Sequence, residues 1–373
     1  MLASGALKID MGSMNRRSQK PRLVDVARAA NVSTATVSRL MTGRAGVTPR
    51  LRDRILKAAV SLGFQLDGGG KSRIIAFLLS NRGVLHPFHS AVLMGAEAYA
   101  AEHDYGLLFL PYQYSTKVPW QELYLPAIFQ RRQVISGVIV AGTNSPNLLQ
   151  LLTHREIPWV VLGNNVIGDE TQREVCAVCF DDIGGAYELT RYLISLGHRE
   201  IGFVGNRQLP WFARRFQGYQ RAMNEAGLQI HAGEFNSTNH EEMGYLATKL
   251  ILQQAESLTA IFAGDDAAAR GAYNAARDRG LRIPEDLSVA GFNDTTEASV
   301  LQPPLTSVHV FTDEVGKQLA ELLIERITRP DLPARTVSLP TQVVRRESCA
   351  PLLPIPRTPA DSGENRDTPV TSS

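Results

Sequence analysis

Apolar residues recur at helical spacing in three short segments near the front of the chain. Leu23, Val26, Ala27 and Ala30 form one stripe, the pattern of an amphipathic helix. Asn31 follows where the chain must turn, and asparagine tolerates the left-handed conformation better than most side chains. Val32 then reaches back to a small core. Ser33 is placed to cap a second helix by accepting from amides two or three residues on. In that helix Val37, Leu40 and Met41 face inward, while Thr34, Ala35, Ser38 and Arg39 face outward. Thr48 caps a third helix with Pro49 in its first turn. Ile55, Leu56, Ala59 and Leu62 pack that helix down, and Gly63 ends it.

From about residue 73 the pattern changes. Residues 74–79 are a nearly unbroken apolar run, as expected of a strand buried on both faces. A helix over 88–103 follows, then strand 107–110, strand 137–141, helix 146–155 and strand 159–162. After Asp181 the cycle restarts with helix 184–196, strand 201–205, and helices 213–226 and 241–253. Strand 260–263, helix 267–279, strand 287–292 and helix 313–328 complete it. Such alternation predicts parallel sheets covered by helices through right-handed crossovers, and the restart predicts two lobes. The fold class expected is an all-α helix-turn-helix domain followed by a two-lobed α/β body.

Charge separates the two parts. Residues 1–67 carry 12 Lys/Arg against 4 Asp/Glu, whereas the whole chain is only +2. A basic three-helix module on a mildly acidic body suits phosphate binding confined to one end. A helix-turn-helix puts its second helix in the DNA major groove, so the module points to double-stranded DNA; a three-helix protein-interaction module is the alternative. Arg39 has the geometry to give two bonds to guanine, and the Ala35 methyl to meet a thymine methyl. Thr36 and Ser38 read equally well as ordinary helix-surface hydroxyls.

These residues carry a family likeness. Val24-Asp25-Val26-Ala27, Asn31-Val32-Ser33 and Thr36-Val37-Ser38-Arg39 resemble the signature of the lactose/galactose repressor (LacI) family. The body resembles it too, at Leu196-Gly197-His198-Arg199-Glu200-Ile201, Ala260-Ile261-Phe262-Ala263, residues 280–294 and Pro304-Leu305-Thr306-Ser307-Val308. The resemblance spans about residues 22–348. It implies a transcriptional regulator, a repressor by expectation, whose operator affinity answers to a small molecule, a sugar or related metabolite, held between two periplasmic-binding-protein-like lobes. Three chain crossings between lobes are expected near residues 180, 308 and 330. On the DNA side it implies Thr34, Ala35 and Arg39 facing base edges, with Ser33, Thr36 and Thr42 mostly on phosphates. On the effector side it implies Arg215, Asn293, Asp265 and Asn164 as polar contacts. Phe88 would be an apolar wall, and Trp211 or Phe235 a stacking ring. Where the family often has aspartate this chain has Asn293, and where it has asparagine this chain has Asp265. Asparagine both donates and accepts, whereas a carboxylate only accepts, so the effector is expected to differ from a common sugar.

The largest departure lies between the two parts. The family pattern has a hinge helix with a leucine that wedges into the minor groove; here Gly68-Gly69-Gly70 intervene, and glycines oppose helix formation. A short flexible linker that inserts no leucine is expected. The domain layout is then a disordered extension over 1–21, in which Met11 and Met14 are alternative starts, and the DNA-binding domain over 22–67. A linker over 68–73 leads to the body over 74–348, and a disordered tail covers 349–373. Lobe 1 is expected at about 74–180 and 309–330, lobe 2 at about 181–308 and 331–348. Palindrome reading by paired modules implies a homodimer, with the helices at 88–103 and 313–328 as candidate interface.

The remaining features narrow the class. At 44% hydrophobic and 20% charged the composition is that of a globular protein. No apolar run reaches the ~20 residues of a membrane span, and no signal-like h-region opens the chain. A cytoplasmic protein is expected, not a solute-binding protein for transport, which is the runner-up reading beside a metabolite sensor that binds no DNA. Cys176 and Cys179 form a C-x-x-C inside a strand, where residues three apart point to opposite faces; they are read as structural cysteines. His86-x-x-His89 lacks acidic or cysteine neighbours and reads as an ordinary loop. Nucleotide, zinc-protease and serine-hydrolase motifs are absent, so no enzyme, cofactor or metal is expected.

Overall fold

The computed structural model describes residues 21–41, 46–64, 72–83, 86–130, 134–167 and 175–352. Two compact units divide between Ser72 and Arg73. Thr42, the Gly68–Gly70 linker, residues 1–20 and residues 353–373 lie outside the described residues. The expected disordered tail is corrected at its start: Cys349 is buried, and the Leu352 amide donates to the Leu196 carbonyl at 2.8 Å, so residues 349–352 pack on the body.

The first unit holds α1 (Leu23–Ala29), α2 (Thr34–Met41) and α3 (Pro49–Ser61). Its turn is built as the residue types dictate. Asn31 sits at φ 50°, and the Thr36 amide donates to the Ser33 hydroxyl at 3.2 Å. Thr48 caps α3 by accepting from Leu51 at 3.4 Å. Val26, Ala27, Ala30, Val37, Ile55, Ala58 and Ala59 form the core, with Leu40 and Met41 against it. The expectation for α3 is half corrected. Leu56 is 41% exposed and Leu62 is also exposed, because Ala58 and Ala59 occupy the inward stripe that Ile55 begins.

The second unit contains two parallel sheets. Lobe 1 runs β1 (Ile74–Ser80), α4 (Pro87–Glu102), β2 (Gly106–Tyr112), β3 (Gly137–Gly142), α5 (Pro146–His154), β4 (Trp159–Leu162) and β5 (Ala177–Phe180). Lobe 2 runs α6 (Asp182–Ser195), β6 (Ile201–Val204), α7 (Pro210–Glu225), β7 (His231–Gly233), α8 (His240–Gln254), β8 (Ala260–Ala263), α9 (Asp266–Asp278), β9 (Ser288–Asn293), α10 (Thr296–Val300) and β10 (Thr306–Val310). The chain then returns to lobe 1 as α11 (Thr312–Thr328) and β11 (Thr336–Leu339), and ends in lobe 2 as β12 (Thr341–Val344).

Sheet order is β11-β5-β4-β3-β1-β2 in lobe 1 and β12-β10-β9-β8-β6-β7 in lobe 2. Every pairing is parallel except β10 with β12. The first two crossings fall near residues 181 and 311, close to expectation. The third is corrected from about 330 to Pro340, because β11 pairs parallel with β5 and therefore belongs to lobe 1. β7, β10, β11, β12 and α10 were not picked out as elements from the sequence; most are short, and β11 and β12 lie partly exposed at sheet edges.

Close helix crossings tie each layer. Gly95 on α4 faces the Asp313 main chain, and Gly316 on α11 faces the Val92 carbonyl. A Cβ at either position would overlap backbone, so these helices approach only because glycine stands at the crossing.

Candidate DNA-reading helix and inter-lobe cleft

Within the first unit, α2 presents Thr34, Ala35, Ser38 and Arg39 outward while Val37 is buried. Ser33 is also exposed, and Thr36 is half-buried with its hydroxyl 2.8 Å from that of Ser33. The residues expected to meet bases therefore share one exposed face of a helix whose other face is core. That is the arrangement needed to enter a groove edge-on.

In the second unit both sheets reverse strand order beside β1 and beside β6, and open α/β sheets bind ligands beyond the carboxyl ends of strands at such switch points. Loops from both lobes converge there. Lobe 1 contributes Arg82 after β1, then His86, Phe88 and His89 at the start of α4, and Asn165 after β4. Phe180 sits at the first crossing. Lobe 2 contributes Trp211 and Arg215 from α7, His240 opening α8, Asp265 after β8 and Asn293 ending β9. The space between them is about 30 Å³, a few waters at most and far below the ~300 Å³ of small-molecule pockets. A space this small does not hold a ligand of sugar size as the lobes stand.

Arg215 lies at the cleft floor, 2% exposed. Its Nε donates to Asp182 Oδ1 at 2.8 Å, Nη1 to the Gly264 carbonyl at 2.7 Å and Nη2 to Asn293 Oδ1 at 3.0 Å. Its guanidinium carbon lies over Phe292, 3.9 Å from the ring centroid. Because guanidinium only donates, the Asn293 atom facing it must be the oxygen, which leaves the Asn293 NH2 as a donor. Asn293 is held at φ 104°, a conformation costly for a non-glycine residue that persists only where surroundings over-determine it.

Asp265 caps α9 by accepting from the Ala268 amide at 2.8 Å and also accepts from His240 Nδ1. Burial alone would raise its pKa; His240, the Ala268 amide and Arg215 outweigh that and hold the carboxyl well below the ordinary range. His240 Nε2 meets Arg82 Nη1 at 3.2 Å. The ring thus stands between Arg82 and Asp265. The Arg82 guanidinium also lies over Trp211, 4.3 Å from its centroid. Burial lowers its pKa to about 10 despite Asp265.

Beneath the cleft, Asp182 accepts from Arg215 Nε, from Arg214 Nε at 3.0 Å and from Asn164 Nδ2 at 2.8 Å. Arg214 also reaches the Asn164 carbonyl. Here an expectation is corrected. Asn164 is not in the cleft lining. Its amide accepts from the Phe180 N–H at 2.9 Å and donates to the Phe180 carbonyl and to Asp182, each at 2.8 Å. With those atoms committed it braces the hinge, and its neighbour Asn165 lines the cleft. Phe235 is exposed and outside the lining, whereas Trp211 and Phe88 are in it.

The sequence reading missed Arg82, His86, His89, His240 and Asp182. The histidines read as an ordinary loop; they instead open α4 on the cleft. The available signal was position: each of Arg82, His86 and His240 stands between a strand and a helix, where cleft residues must lie. Cys176, Cys179 and Cys349 are free. A larger hollow of about 830 Å³ lies on lobe 1 along α5 and β4, lined mainly by apolar residues such as Leu149, Ile157 and Trp159. It lacks the convergence of charged groups from two lobes.

Comparison with known proteins agrees with both units. Residues 22–66 match the model for bacterial regulatory proteins of the lacI family, and residues 190–349 match a periplasmic binding protein-like domain. The ribose operon repressor of Haemophilus influenzae is 30% identical over 332 residues, covering 87% of this chain and 97% of that protein. The chain belongs to the lacI family of bacterial regulatory proteins. The transcriptional regulator CelR of Thermobifida fusca is 29% identical over 89% of the chain and 99% of its own length. A solved CelR–cellobiose complex is 28% identical with a TM-score of 0.66, covering 88% of this chain and 99% of that one. This lacI-family member is thus a DNA-binding transcriptional regulator with a helix-turn-helix module and a two-lobed parallel α/β body. Among the described residues no helix is long and apolar enough to cross a membrane.

Proposed function

We propose that this regulator binds a palindromic operator as a homodimer, and that a small metabolite held between its lobes sets operator affinity. The observation that carries this reading is the convergence of polar and aromatic groups from both lobes on one cleft at the two switch points. Phe88, Arg215, Asp265 and Asn293 are the proposed effector contacts, joined by Trp211. Thr34, Ala35 and Arg39 are proposed to read bases, and Ser33, Thr36 and Thr42 to hold phosphates. Ribose and cellobiose in the names of relatives favour a carbohydrate-like effector. Closure about three chain crossings gives the two states that a ligand biases, and linkage makes the effect on DNA affinity reciprocal. The outer faces of α4 and α11 are the proposed dimer surface in lobe 1. The protein is proposed to act in the cytoplasm and without catalysis.

The test is operator selection from a random duplex library, followed by fluorescence anisotropy with and without a metabolite panel. A palindromic winner whose Kd moves at least tenfold with one metabolite class is the expected outcome. No preference for a palindrome over random duplex at moderate salt would refute the reading.

A further inference from the structure

One wall of the cleft is left with its polar atoms unanswered. Among the described residues, Arg82 Nε, His86 Nδ1 and His89 Nδ1 are buried without a hydrogen-bond partner. His89 is only 3% exposed. A buried polar atom without a partner costs ~1–3 kcal/mol, more when charged, so a native structure that keeps three together has a use for them.

The charges around them do not balance. Arg82, Arg214 and Arg215 stand against Asp182 and Asp265. Asp182 answers both Arg214 and Arg215. Asp265 makes no direct hydrogen bond to Arg82, and the His240 ring stands between them. The main chain adds to the imbalance: α4, α7, α8 and α9 all begin at the cleft, and helix starts carry partial positive charge. Burial and the Arg82 charge press His86 down to about 4 and His89 well below its ordinary value, so these rings add unpartnered polar atoms without adding charge.

An uncharged sugar supplies hydroxyls but leaves the surplus cation buried. A carboxylate or phosphate supplies acceptors and the missing negative charge together, and guanidinium takes either in a two-pronged, charge-assisted contact. We propose that the effector of this cleft is a small polyol bearing an anionic group, and that Arg82, flanked by His86 and His89, selects for that group. This rests on the inter-lobe cleft being the effector site.

The experiment is calorimetric titration of the full chain with matched neutral and anionic probes. D-glucose and D-galactose are set against D-glucuronate, D-galacturonate and D-glucose 6-phosphate, and D-ribose against D-ribose 5-phosphate. At least one anionic member should bind ~10–100-fold tighter than its neutral counterpart, the scale of one charge-assisted bond. The uronates and the phosphates tell the carboxylate source from the phosphate source. Arg82→Gln should erase the preference, Arg82→Lys should keep part of it, and a cooperative melt confirms that each variant folds. A panel in which no anionic member binds overturns the proposal, as does a preference that Arg82→Gln leaves intact. If neutral sugars bind nonetheless, the effector reading outlives it; if nothing binds, both fall.

Discussion

Asp182→Asn probes how the cleft floor is held. The Asp182 side chain is fully buried, Arg215 nearly so, and Arg214 is 26% exposed. The amide keeps the volume, so no cavity is made. It removes the charge and turns an NH2 toward a site where Arg214, Arg215 and Asn164 all donate. Arg214 escapes to water, but Arg215 stays buried with its main partner gone. Breaking a buried pair from one side costs ~3–5 kcal/mol, and that is the loss expected. Urea unfolding followed by tryptophan fluorescence measures it cleanly, because Trp120, Trp159 and Trp211 are the chain's only tryptophans and all lie in the α/β unit. Adding Arg215→Met to Asp182→Asn should recover at least half of the loss, since the stranded cation is then removed. A single-variant loss below ~1 kcal/mol, or purely additive effects, would refute the view that this pair anchors the cleft.

Three further outcomes are expected. Asn31→Ala should destabilise the DNA-binding unit by ~1 kcal/mol, because alanine keeps the Cβ but loses the short polar side chain that makes the left-handed region tolerable, while Asn31→Gly should not; circular dichroism melts of the full chain resolve the pair. Arg39→Ala should weaken the selected operator by ~10–100-fold, the worth of a bidentate base contact, with a smaller loss on random duplex; equal losses on both would reassign Arg39 to a phosphate. Burial pushes the Asp266 carboxyl up to about 7 against hydrogen bonds from Ser307 and Thr295. The folded chain therefore keeps a proton that the unfolded chain releases near pH 4. That contribution is whole below about pH 4 and is lost as pH rises through 7, at up to ~1.4 kcal/mol per unit. Asp266→Asn should flatten the stability profile over that window, and a variant profile as steep as the parent's would sink the assignment.

What was legible in the chain was local. Asn31, Ser33, Thr48 and Gly63 define the helical module because turns and caps are decided within four residues of themselves. The strand–helix alternation predicted two parallel lobes because both periodicities are local too. Arg215 in α7, with Asp265 and Asn293 at strand ends, came instead from the family resemblance. Local logic failed where burial depends on a distant partner. Leu56 looked like core until Ala58 took the inward stripe, and Asn164 looked like a ligand contact until Phe180 and Asp182 claimed its amide.

The amino-acid order alone thus determined the type of most elements and the division of the chain into a basic reading head and a mildly acidic α/β body. Only the tertiary structure decided that β11 returns to the first lobe, and that Arg82, His86, His89 and His240 meet Trp211 and Asp265 across a cleft. Periodicity is a property of neighbours in sequence. The meeting of charges from loops well over a hundred residues apart is set by sheet order and by the packing of lobes, which no local pattern encodes.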